Sequence, residues 1–332
     1  MTEGARPGVP RRSLVAGVVG TVLSTTGCGL RLEDDAPRLP LVPGRTPVPA
    51  EAELVALTRD TAALAALAQT VPGALAADLA RVHRRQHTVL RGILVADGVP
   101  AGALDAAPSP TASRIATPIP TPTPFPPLTA SPPATASPGA APAARRAALA
   151  TAEAASAAAA PRFAGIADDL RPTIAALHAQ RYAAATLLTG RPPTVPRDPI
   201  GGSRVATLAA ATSGAAYFLE VVSARSRGAE RARADTTLAA LRALLTDQQA
   251  VGAQPGTPLG HPLPFPVVGA AAAARLARTS LGTLRAGYGE QLGPLVGSDG
   301  GAALAALTRW LGTVEVEAHR WGVALVPFPG LE

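Results

Sequence analysis

From about residue 204 onward, apolar side chains recur at alternating intervals of three and four. Val205, Leu208, Thr212, Ala215, Leu219 and Val222 make the first such run, and Leu304, Leu307, Leu311, Val314, Ala318 and Trp321 the last. That spacing keeps every member on one face of a helix, and the face must find a partner to bury it. Leu238, Leu241 and Leu245 form a second run, and Ala277, Leu281, Leu284, Tyr288 and Leu292 a third. The series is interrupted by Leu263-Pro264-Phe265-Pro266-Val267 and closed by Pro327-Phe328-Pro329-Gly330-Leu331. Four apolar stripes joined by short breaks predict an antiparallel four-helix bundle over residues 204–332.

Composition supports an all-α chain. Aromatics make up only 3% of the residues. Alanine dominates the apolar share, and it is the best helix former. No run of β-branched residues suggests a strand. The formal net charge is +7, yet Lys and Asn are both absent. Both have A-rich codons, so G+C-rich coding accounts for the exclusive use of Arg. The basic residues are spread along helices with no aromatic platform among them, which argues against a nucleic-acid partner. A basic surface suits an envelope protein or an anionic lipid or polymer better.

Residues 1–28 read as a lipoprotein signal peptide. Arg11 and Arg12 precede an apolar run from Leu14 to Leu23, then Ser24-Thr25-Thr26-Gly27-Cys28. A charged start, a short apolar core and small residues before a break mark an export signal. The core is shorter than the roughly 20 residues a spanning helix needs. Cys28 is the sole cysteine, which rules out a disulfide within the chain. Gly27-Cys28 resembles a lipobox, in which the cysteine carries a diacylglyceryl anchor, although Thr25 stands where Leu is common. The Arg pair resembles a twin-arginine signal, and general secretion is the alternative route. The expected location is the extracytoplasmic face of the cell membrane.

The remaining organisation follows from the punctuation of the chain. Residues 29–50 are rich in Pro and charge and read as an extended tether. Residues 51–97 read as a helical hairpin turning at Val71-Pro72-Gly73. Residues 98–142 are a Pro/Ala/Thr/Ser-rich stretch whose composition predicts a disordered linker. It reads as a spacer, with an O-glycosylated segment or a ligand for a proline-reading domain as alternatives. Residues 143–190 return to a long helix that Pro161 and Pro172 should kink or break.

Chemistry is sparse. A di-iron bundle uses Glu-x-x-His pairs on two helices, and the sequence has none. The nearest approximations are Glu315 with His319 and His83 with His87, each four apart. At about 100° per residue, Glu315 lies about 60° from the centre of its apolar stripe and His319 about 100°. Glu220 lies about 115° off its stripe, and His83 and His87 about 60° and 100° off theirs. These positions predict solvated or boundary side chains. His178, about 80° off its stripe, reads as a boundary histidine. Glu220, Glu315 and His319 remain the candidate ligands should iron or manganese bind. A Walker phosphate loop requires Lys, and Gly-x-Ser-x-Gly does not occur. His261 precedes Pro262 with no evident carboxylate partner. Trp310 and Trp321 read as packing residues. Phe265 and Phe328, each held between prolines, read as caps on the core, with an exposed aromatic patch as the alternative.

The Leu263–Val267 motif, the Ala-rich stretch 270–278 followed by Tyr288, Trp321-Gly322 and the ending Pro327–Leu331 carry a resemblance. Together they resemble the ferritin-like domain family of unknown function found in lipoproteins of high-G+C Gram-positive bacteria. The resemblance covers residues 204–332 and implies a ferritin-like four-helix fold with no established activity. Members often carry Glu-His-Ala-Ala midway along the first helix, where this chain reads Ser213-Gly214-Ala215-Ala216. The expectation is a non-enzymatic, cofactor-free, lipid-anchored envelope protein with a structural or interaction role. A metal-binding ferritin relative is the alternative, and a carrier of an apolar ligand among the Ala-rich helices a third.

Overall fold

The stripes do become helices. The computed structural model describes residues 45–105, 140–197, 200–253 and 260–332. Among these residues there is no strand. The elements are α1 (Glu51–Thr70), α2 (Ala74–Ala96), the short α3 (Ala101–Asp105), α4 (Ala140–Ala158), a 3₁₀ turn (Ala160–Gly165), α5 (Arg171–Thr189), α6 (Gly202–Arg225), α7 (Gly228–Ala250) and α8 (Gly269–Arg320). Residues Thr46–Glu332 form one compact unit. Arg11, Arg12, Cys28 and most of the Pro-rich linker lie outside the described residues.

The N-terminal boundaries differ slightly from those the sequence suggests. Val48 and Ala50, at the end of the expected tether, already pack against the core. Helix α3 lies within the Pro-rich stretch because Val99 and Leu104 are both buried, which anchors that short turn. The region 143–190 is two helices rather than one. Pro161 sits in the 3₁₀ turn and Pro172 in the first turn of α5, where the missing N–H is tolerated. Side-chain bonds fix the antiparallel pairing of α4 and α5: Arg146 donates to the Leu188 carbonyl at 3.1 Å and His178 to the Ser156 carbonyl at 2.8 Å.

Hydrogen bonds also order the C-terminal helices. Arg242 of α7 reaches Glu220 of α6 at 2.7 Å. Tyr288 of α8 meets Thr212 of α6 at 3.0 Å. Helix α8 itself folds back. Arg285 and Glu315 lie 30 positions apart yet pair at 3.0 Å, whereas a straight helix would separate them by about 45 Å. The reversal falls at Gly300, with φ 52° and ψ −119°, a conformation essentially confined to glycine. The half of α8 before Gly300 lies against α6, and the half after it packs on α5, where a Cβ at Gly312 would fall 2.9 Å from the Ala179 carbonyl oxygen, and reaches α7, where Trp310 donates to Asp247 at 2.7 Å.

All members of the first and last apolar runs are buried, as are all five of the third. In the second run Leu238 and Leu241 are buried, but Leu244 replaces Leu245, which is half-buried. Phe265 and Phe328 are half-buried against the same core, and the Arg275 guanidinium lies 4.0 Å from the Phe265 ring. Trp310 and Trp321 are core residues. One helix among the described residues, Val205–Arg225, is long and apolar enough to cross a membrane, and half of it is buried inside the fold.

The C-terminal segment closes the unit by backbone contact. A Cβ added at Gly289 would fall 1.8 Å from the Gly330 carbonyl oxygen, so α8 needs glycine there for the tail to lie flat. Arg285 bonds Glu332 at 3.1 Å, and the Val326 N–H donates to Glu315 at 3.2 Å. Gly300→Ala is expected to destabilise the fold by about 1–3 kcal/mol through backbone strain alone. The midpoint of urea unfolding, measured with an unchanged m-value, checks this.

Candidate functional site

Helix α5 sets the most unusual polar arrangement. Its thirteen residues 174–186 are all buried, so the helix has no face toward water. Most are Ala or Leu, but His178, Gln180 and Arg181 lie in the same stretch. A charge with no solvent face must be paired internally. Arg181, fully buried, lies 3.6 Å from Glu153 of α4, which is equally buried. Its Nη2 donates to Thr61 of α1 at 3.1 Å. Its Nη1 donates to His83 Nδ1 of α2. His83 Nε2 then lies 2.5 Å from Glu153 Oε1 and serves as donor to it. Gln86, one turn along α2, lies 3.2 Å from His83 through its oxygen and donates to the Pro327 carbonyl at 2.6 Å. Four helices and the C-terminal segment thus meet on one arginine–glutamate pair.

The electrostatics favour one charge state. Burial, then the neighbouring Arg181, lowers the His83 pKa against the pull of Glu153. A neutral His83 leaves Arg181 and Glu153 to balance each other. His178, one turn before Arg181, is lowered to about 3 by burial and by the same guanidinium. Its Nδ1 donates to Ser156, so Nε2 is the free acceptor. Glu153 Oε2, Gln180 Nε2, Arg181 Nε and His178 Nε2 have no hydrogen-bond partner among the described residues. A groove of about 480 Å³ runs between α1 and α4 beside this centre, with Leu57, Leu64 and Phe163 in its floor and Glu53, Asp60 and Arg162 at its rim.

Two expectations from the helical wheel are corrected here. His83 and His178 are fully buried rather than boundary residues. Glu315, expected to be solvated, is 1% exposed. The wheel assumes one apolar face and one wet face. Helices α5 and the second half of α8 are covered on nearly every side, so an off-stripe position there points into another helix.

The three candidate metal ligands each have a different neighbourhood. Glu220 is exposed and paired with Arg242. Glu315 is bonded to Arg285 and to the Val326 N–H; burial raises its pKa and Arg285 opposes that rise. His319 is half-exposed, with a buried Nδ1 that has no partner among the described residues. Glu317, a residue the sequence did not single out, is 2% exposed. It accepts from Thr237 at 2.8 Å and Arg320 at 2.6 Å. Among the described residues no three His, Cys, Asp or Glu side chains come together as a metal-binding group. His87 lies half-buried by a separate surface groove, apart from the contacts His83 makes.

Glu153, Arg181, Gln86 and Gln180 escaped sequence reading. The available signal was the near-continuous apolar character of 174–188. A helix apolar all round is central, so an arginine within it demands an acidic partner.

The chain matches no protein-family model, and searches of curated proteins and of solved structures likewise return no match.

Arg181→Ala is expected to cost about 3–5 kcal/mol, because it leaves Glu153 buried without its cation; denaturant unfolding measures this. A second expectation concerns acid. A histidine whose folded pKa is depressed gives stability that is present above its unfolded pKa near 6.5 and lost as pH falls toward the folded value near 3. His178→Gln, which keeps a donor for Ser156, should therefore remove roughly 3 kcal/mol of the stability lost between pH 7 and pH 4. Comparing wild type and variant by thermal melts across that range isolates the effect from the opposing titration of Glu315 and Glu317, whose pKa values are raised.

Proposed function

We propose that this chain is a lipid-anchored cell-envelope protein whose ferritin-like four-helix domain, residues 204–332, serves a non-catalytic structural or interaction role. One observation carries the non-catalytic half. Each buried carboxylate in the described fold is paired with basic or hydroxyl side chains in a separate place: Glu153 with His83 and Arg181, Glu315 with Arg285, Glu317 with Thr237 and Arg320. Carboxylates held this way stitch helices together. A ferritin-type centre needs them converging on one point between facing helices.

The antiparallel pairing of α6, α7 and the two halves of α8 supports the bundle reading. The resemblance of the end motifs supports the ferritin-like one. The signal-like segment ending at Cys28 supports export and anchoring, and the membrane is then a partner through the lipid. An envelope protein or an anionic polymer is the further partner a chain of charge +7 suits.

Two measurements test this. Cys28→Ala is expected to move the protein from the membrane fraction to the soluble one; unchanged membrane association refutes the anchor. Elemental analysis of the purified protein is expected to find less than about 0.1 iron or manganese per chain. Stoichiometric, chelator-resistant metal removed by substituting Glu220, Glu315 or His319 refutes the non-catalytic reading.

A further inference from the structure

A second concave site lies away from the polar centre, and it is built without charge. It is a cleft of about 410 Å³ between α6, the first half of α8 and the segment 260–264. That volume falls within the range of small-molecule sites. Ala211, Ala215 and Phe218 of α6 form one wall, and Leu276 and Leu284 of α8 the other. None of the residues lining the cleft is an Asp, Glu or Arg, in a chain where such residues make up 16%.

The polar groups of the cleft are hydroxyls and one imidazole. Thr279, Ser280 and Thr283 stand on the α8 side and His261 on the loop side. Ser280 is the informative one. The buried helical threonines of this fold all have a partner: Thr58, Thr61, Thr186, Thr212 and Thr308 each donate to the carbonyl four residues back, at 2.7–2.8 Å, and Thr237 donates to Glu317. Ser280 is 6% exposed, yet its hydroxyl has no hydrogen-bond partner among the described residues. A buried hydroxyl left unpaired costs about 1–3 kcal/mol, and a ligand that accepts from it recovers that cost.

The opposite side of the cleft is shaped by a missing side chain. Gly214 lies inside α6, and a Cβ there would come 3.2 Å from His261 Cε1. Glycine in mid-helix is unfavourable by about 1 kcal/mol relative to alanine. Here it lets the imidazole settle onto α6 beside Tyr217 and Phe218, with ring centroids 5.5 and 5.8 Å away. Of these rings, His261 and Phe218 line the cleft.

We propose that this cleft binds an uncharged small molecule with an apolar body and one carbonyl or hydroxyl oxygen, which accepts a hydrogen bond from Ser280. The absence of charged side chains disfavours ions, because nothing in the lining compensates the desolvation of a charge. The lining selects a compact, partly aromatic or alicyclic body that packs on Phe218, Ala210 and Ala211. This gives the helical unit a ligand-carrying activity that depends on neither the lipid anchor nor the ferritin-like assignment.

The test uses the purified full chain and a neutral, environment-sensitive naphthyl ketone dye (prodan), whose carbonyl is the acceptor. Binding is expected to be saturable, one per chain, with blue-shifted emission. Thr283→Trp, which places a large ring at an exposed position on the wall, should weaken binding at least tenfold. Ser280→Ala should weaken it about fivefold, as expected for one neutral hydrogen bond. Arg84→Ala, on a distant surface, should leave it unchanged. Circular dichroism and the melting temperature establish that each variant folds. Non-saturable binding, or binding insensitive to Thr283→Trp in a folded variant, overturns the site. Loss with Thr283→Trp but not with Ser280→Ala overturns the hydroxyl's role.

Discussion

The ion pair between Arg181 and Glu153 is the interaction on which the N-terminal half of this fold depends. Removing a guanidinium and a carboxylate from water costs several kcal/mol per ion, and their attraction offsets that only in good geometry with further hydrogen bonds. Those bonds come from α1 through Thr61 and from α2 through His83. A sliding of α1, α2, α4 or α5 by one residue would break the set. An apolar interface rich in alanine is uniform and tolerates small slips, so the polar centre supplies the register that alanine cannot. Gln86 extends this to the tail by binding the Pro327 carbonyl.

The tail links the two halves of the unit. Its Pro327 belongs to the polar centre, its Val326 and Glu332 to the Arg285–Glu315 pair, and its Gly330 to the backbone of Gly289. The contacts of Glu332 with Arg285 and of Gly330 with Gly289 need α8 to have reversed at Gly300, as does the pairing of Arg285 with Glu315. The same reversal brings Trp310 to Asp247 and Trp321 to Thr237. One glycine with positive φ therefore decides whether the C-terminal segments form a bundle or a long rod.

The helices themselves were legible in the sequence because burial here follows simple periodicity. Val205 to Val222 and Leu304 to Trp321 are buried as their spacing requires. The polar positions were not legible, for a geometric reason. The wheel locates a residue relative to the stripe of its own helix and cannot say how many neighbours that helix has. Glu315 and His178 lie well off their stripes and are still buried, since second and third helices pack where solvent was assumed. Arg181 was missed for the opposite reason: it stands in an alanine-rich run without a charged neighbour in sequence, and its partner Glu153 lies on a different helix.

The two polar solutions of this molecule differ in kind, and the difference locates where specificity can reside. At Arg181 and at Arg285 charge meets charge, and such pairs hold helices in place. The cleft beside α6 has no charge to satisfy and a single buried hydroxyl without a partner. Its walls come from two helices whose positions are fixed elsewhere, by Tyr288 with Thr212 and Gln248 in the core below. Tyr288 is fully buried and its pKa is raised by that burial, so it remains a neutral hydrogen-bonding strut. A cleft whose frame is set by contacts outside it can change its lining residues without loss of the fold. Ser280, Thr283 and Gly214 are thus positions at which binding and stability separate.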